Sequence, residues 1–75
     1  MPDIALQALK QACHRQVTWL QARAEVYEQG KCRHLEIENG KSCDRSQEVA
    51  DQFRHQAANL QAVMDAYERL VSKTT

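Results

Sequence analysis

The stretch Gly30-Lys31-Cys32-Arg33-His34-Leu35-Glu36-Ile37-Glu38-Asn39-Gly40-Lys41-Ser42-Cys43 decides the fold, because it interrupts two long segments of helical pattern with a hairpin signal. A two-residue type I′ turn needs positive φ at both central positions, and Asn followed by Gly tolerates this best. With Asn39-Gly40 as the loop, the register follows: Glu38 faces Lys41, Ile37 faces Ser42, Glu36 faces Cys43 and Leu35 faces Asp44. The first of these is an opposite-charge pair flanking the turn. Side chains alternate faces along a strand, so Leu35 and Ile37 share one face while Cys32, His34, Glu36 and Cys43 share the other. Only the Leu35/Ile37 face is apolar enough to bury.

The flanking segments read as helices. The first spans about 3–29, with Pro2 and Asp3 suited to its start and Gly30 suited to a left-handed stop. Its apolar positions Leu6, Leu9, Cys13, Val17, Leu20, Ala24 and Tyr27 step by three and four, as one helix face requires. The second spans about 46–72, with Asp44 and Ser46 as candidate N-caps and Glu48 in the first turn, where a negative charge suits the helix dipole. Val49, Phe53, Ala57, Leu60, Met64, Tyr67 and Val71 form its stripe, and Asp65 and Arg69 stand at the favoured i, i+4 spacing for an ion pair. The expected fold is therefore mostly α: two long antiparallel helices linked by a short β-hairpin over about 31–45, in one domain covering residues 1–75. A plain helical hairpin needs only about two to eight connecting residues, so the long alternating connection argues for strands.

The 75 residues place the chain near the lower limit of independent folding, where only about 60% of the unfolded surface is buried. Two narrow stripes make a thin core, and Ile4, Trp19, Val26, Val63 and Leu70 lie outside them. Trp19 in particular reads as surface offered to another protein. Formal net charge is zero, which argues against a coat for phosphate backbones. The bases Lys10, Arg15, Arg23, Arg33, Lys41, Arg45, Arg54 and Arg69 are scattered and read as solvated surface. No apolar run approaches the roughly 20 residues that span a bilayer, and no charged-then-apolar leader opens the chain, so it reads as soluble and cytoplasmic with no membrane partner.

Catalytic patterns are missing. Glycine occurs twice, both times explained by local geometry, so there is no phosphate loop, no nucleophile elbow and no convergent carboxylate cluster. Cys13 and His14 are neighbours on a helix and point about 100° apart, too divergent for a nucleophile and its base. Cys32, His34 and Cys43, with His55 or Cys13 as a fourth group, do not have the paired spacing of structural zinc ligands. Three cysteines match no disulfide framework. We therefore expect a non-enzyme without cofactor or metal.

The order of elements resembles the small head-to-tail joining, or head completion, proteins of tailed phages, the lambda-like protein W family. Members end a first helix in Gly, run a short strand, turn at Asn-Gly or Asp-Gly, continue with a basic residue and Ser, and open a second helix at Ser or Thr. Here these are Gly30, Asn39-Gly40, Lys41-Ser42 and Ser46; Phe53-Arg54 with Ala57 and Leu60, and Trp19-Leu20 with Ala22 and Ala24, also resemble the family. The likeness covers roughly residues 17–62. The second strand departs from the family in carrying Cys43 and Asp44, the first helix is longer than typical, and no long tail follows the second helix.

The resemblance implies a structural function: copies dock as a ring on the portal, help retain DNA and offer the tail attachment site. The implied partners are the portal and tail-side neck proteins, with DNA near the channel, and the implied location is the host cytoplasm and then the virion neck. Trp19, Leu35, Ile37 and Tyr67 are the expected core or interface residues, and Gly30, Asn39 and Gly40 the turn-defining ones. Composition fits a second reading equally well, a homodimeric helical bundle that regulates or inhibits another protein. A third, a small RNA-binding dimer, would need a basic face containing Arg15 and Arg23.

Overall fold

A computed structural model describes residues 4–74 of the chain, so the expected start at Pro2 and Asp3 lies outside the described residues. The order is α1 (Ile4–Glu28), β1 (Leu35–Glu38), β2 (Lys41–Asp44) and α2 (Ser46–Thr74), the expected α-β-β-α arrangement. The helices pack side by side and antiparallel, and the whole is a rod of 60 × 20 × 15 Å.

The first helix stops where its sequence permits a left-handed residue. Gly30 has φ +75°, its N–H bonds to the Tyr27 carbonyl at 3.2 Å, and the Lys31 N–H reaches back to the Val26 carbonyl at 3.0 Å. This is the Schellman arrangement, which satisfies carbonyls that the helix end would otherwise leave open. Residues 31–34 then run irregularly. The strands are thus shorter than the expected 31–45, and Cys32 lies before β1 rather than on the hairpin face assigned to it.

The turn forms as the Asn-Gly pair requires, with φ of 52° at Asn39 and 77° at Gly40. The register is the expected one, from Leu35↔Asp44 to Glu38↔Lys41. The expected turn-flanking ion pair is replaced, because the Glu38 carboxylate accepts from Arg45 at 2.7 Å. Leu35 and Ile37 depart from expectation more strongly: they are 57% and 81% exposed. The hairpin extends beyond the helix pair instead of folding back on it, so no helix surface lies beneath their face.

The core runs along the helix seam. Cys13, Val17, Leu20 and Ala24 of α1 are buried against Ala50, Ala57 and Met64 of α2, with Phe53 and Leu60 packed at its margin. Ala24 and Ala50 are completely enclosed; side chains this small let two helix backbones approach closely. Ala50 was not among the expected stripe residues, since a stripe drawn through Val49 and Phe53 passes beside it. Leu9 and Tyr67, by contrast, belong to the expected stripes yet remain about half exposed. Asp65 accepts from Gln61 at 3.0 Å, and no Asp65–Arg69 ion pair occurs among the described residues.

Candidate interaction surfaces

Two surfaces are built by this fold. The first is the hairpin and its junction with α2. His34, just before β1, donates its backbone N–H to the Ser46 hydroxyl at 2.8 Å, and the Arg45 N–H donates to the His34 carbonyl at 2.8 Å. Asp44 closes the junction by accepting the Ser46 backbone N–H at 2.9 Å, so Asp44 acts at the helix start as expected, whereas the hydroxyl of Ser46, the other candidate cap, is engaged by His34 instead of by its own helix. The Ser46 hydroxyl and backbone N–H, with the positive charges of Arg33 and His34 behind them, hold the Asp44 carboxyl below the ordinary carboxylate range.

A depressed carboxylate favours the folded junction while it is ionised; that contribution is present above the unfolded-chain value near 4 and fades as pH falls through the lower folded value. We expect the Asp44 carboxyl to titrate below an unstructured aspartate by NMR, with the Ser46 amide shift following the same curve. An Asp44 midpoint at the ordinary value would contradict this clasp.

On one face of the hairpin the charges converge on Arg45. Its guanidinium meets Glu38 at 2.7 Å and Glu48 at 2.9 Å, with Glu36 at 4.0 Å, and these carboxylates, Glu38 first and then Glu48, hold it still more firmly protonated. His34 contacts Glu36 at 3.1 Å. The other face carries Leu35 and Ile37, with Arg33 and Asp44 paired at 3.4 Å beside them. The hairpin therefore presents one charged, internally paired face and one face on which exposed Leu35 and Ile37 stand beside a single ion pair.

The second surface is the helix pair, whose two sides differ. One side is polar: Lys10 pairs with Glu68 at 2.9 Å, and Arg54 grips Glu28 with two hydrogen bonds of 2.7 and 2.5 Å, which lowers the Glu28 carboxyl. The opposite side is apolar. An open groove of about 360 Å³ there is lined by Leu9, Ala12, Cys13, Gln16, Leu60, Val63, Met64 and Tyr67. Trp19 continues this side toward the hairpin end, standing edge-on to Phe53 at 6.1 Å with half its surface open. Ile4 and Leu70 are exposed at the far end.

All four expected core-or-interface residues thus lie outside the core. Trp19, against Phe53, and Tyr67, in the groove, fall at separate points on the apolar side of the helix pair, and Leu35 and Ile37 lie on the hairpin, so the structure does not bring the four into one site. Val63, named in the sequence only as lying outside the stripes, is two-thirds exposed and central to the groove; its i+4 relation to Tyr67 is the signal that marks it.

No protein-family model, curated protein or solved structure matches the chain.

The remaining chemistry is sparse. Four of the scattered bases, Lys10, Arg33, Arg45 and Arg54, are engaged by acids, and Arg23 lies over the Tyr27 ring at 5.6 Å, so they do not form an open phosphate-binding stripe. Cys13 is buried and its thiol donates weakly to the Leu60 carbonyl at 3.8 Å, away from exposed His14. Among the described residues no group of three or more His, Cys, Asp or Glu side chains converges as metal ligands do. Among the described residues no helix is long and apolar enough to cross a membrane.

Proposed function

We propose that this chain is a structural subunit of a tailed-phage neck, of the head-to-tail joining kind it resembles, and that it works by binding rather than catalysis. Copies dock as a ring on the portal, extend its channel, help retain DNA and provide the tail attachment site; the chain waits in the host cytoplasm and ends in the virion neck. The observation that supports this reading is the projecting hairpin. Its Leu35 and Ile37 are exposed on strands carried beyond the helix pair, where they contribute little to the chain's own core, and exposed apolar side chains of this kind are what a protein interface uses.

Deleting the gene from the genome that carries it is expected to give filled heads and separate tails that fail to join, with heads that lose DNA, as seen by electron microscopy of lysates. Normal tailed particles would overturn the reading. The apolar side of the helix pair favours a second reading, a homodimeric helical bundle that regulates or inhibits another protein, and that outcome would move the proposal to it.

A further inference from the structure

The chain exposes 5943 Å², whereas a folded monomer of its 8.6 kDa is expected to expose only about 4,700 Å². The excess, roughly 1,200 Å², comes from the elongated 60 × 20 × 15 Å shape and the projecting hairpin as well as from uncovered apolar side chains. Part of it lies on the apolar side of the helix pair, where Leu9, Trp19, Val63 and Tyr67 are each about half exposed or more.

We propose that this side pairs with the same side of a second copy, each Trp19 seating in the other copy's Leu9–Val63–Tyr67 groove. Three features select a second copy as the occupant. The side carries both a projecting aromatic and a hollow to receive one. Trp19 lies seven residues beyond groove-lining Ala12 on the same helix face, about 10 Å along the axis, so one two-fold rotation brings both knobs to both hollows at once. Second, the hollow is large enough. A cavity of about 150 Å³ already accommodates a benzene ring, and this groove holds about 360 Å³. Third, formal net charge is zero, so two copies approach without net repulsion, and the ion pairs Lys10–Glu68 and Arg54–Glu28 lie on the opposite side, where pairing leaves them in water.

The pairing belongs to the free chain. It rests on reading the chain as an assembling subunit but not on what it assembles with, and the covered side becomes available to another protein only when the pair opens.

Trp19 is the single tryptophan and reports on the contact directly. Light scattering and Trp19 fluorescence of the reduced, purified chain over a hundredfold concentration range should show mass rising from one copy to two, with emission shifting to the blue over the same range. Val63→Glu places a charge in the apolar contact and should move association to at least about tenfold higher concentration, with helicity by circular dichroism unchanged because Val63 is exposed in the single copy. Leu9→Glu, on the other helix, should do the same, and Ile37→Glu on the hairpin should not. A chain that stays single with Trp19 in water overturns the proposal. So does association that survives both Val63→Glu and Leu9→Glu, or that is lost only with Ile37→Glu. None of these results depends on a portal, so failure of the neck reading and failure of this contact are distinguishable.

Discussion

Leu20→Ala is expected to leave the isolated chain largely unfolded. Leu20 is 5% exposed and packs with Val17 and Ala57 at the centre of the seam. Removing a buried leucine side chain costs about 2–5 kcal/mol, set by how far neighbours can collapse into the space. The facing residue Ala57 carries only a methyl group and cannot fill the space, which leaves Phe53 and Leu60 at the margin as the side chains able to move toward it. A single core in a chain of this size rarely supplies more than about 3–5 kcal/mol in total, so the substitution removes most of it. Urea unfolding followed by far-UV circular dichroism should show the midpoint falling to near zero denaturant. A variant that keeps a full cooperative transition at the original midpoint would mean that the stability resides elsewhere, in the hairpin or in association.

The second large effect is local. Replacing Asn39-Gly40 by Val-Val is expected to abolish the hairpin while leaving the helix pair intact. Both residues hold positive φ, and a left-handed conformation costs a β-branched residue at least about 1–2 kcal/mol at each position. A two-stranded hairpin is marginal by itself, and this one has no helix surface beneath Leu35 and Ile37 to offset the loss. NMR should show the cross-strand contacts between Leu35 and Asp44 and between Ile37 and Ser42 disappear, with the melting temperature of the helices little changed. If the helices melted with the hairpin, the hairpin would be part of the core. On the neck reading the same variant folds but fails to join heads to tails.

These contrasting outcomes follow from which parts of the fold can be read in the residues. The turn and its register are legible because Asn39-Gly40 meets a backbone requirement that few other pairs meet, and the Gly30 stop is legible for the same reason. The seam residues Val17, Leu20 and Ala57 follow from helical spacing. The fate of the Leu35/Ile37 face is not legible: alternation tells which side chains share a face, but whether a helix lies under it depends on the direction in which residues 31–34 send the strand. The partner of Glu38 is missed for a related reason. Cross-strand pairing selects Lys41, while Arg45, one step past the strand, reaches both Glu38 and Glu48 and gains from two carboxylates at once. Ala50 is missed because an alanine carries too little apolar weight to register in a stripe, although its small size is what the close helix contact needs.

The same limits apply to the interaction surfaces. Trp19 is conspicuous as an aromatic outside the stripes, and Val63 and Leu70 stand out with it. That Leu9 and Tyr67 join them in a groove depends on how the two helices are rotated about their axes, which spacing within either helix does not reveal. The arrangement explains how a chain with so thin a seam can leave large apolar side chains open. They are only partly covered by the chain's own fold.

The most direct test of the neck assignment is to incubate the purified chain with the portal ring encoded in the same genome and follow both by sedimentation velocity. The chain is expected to move with the portal as a stoichiometric ring, and the Val-Val variant of Asn39-Gly40, though folded, is expected to sediment apart from it. A folded chain that sediments apart from the portal throughout the concentration range would contradict the neck assignment.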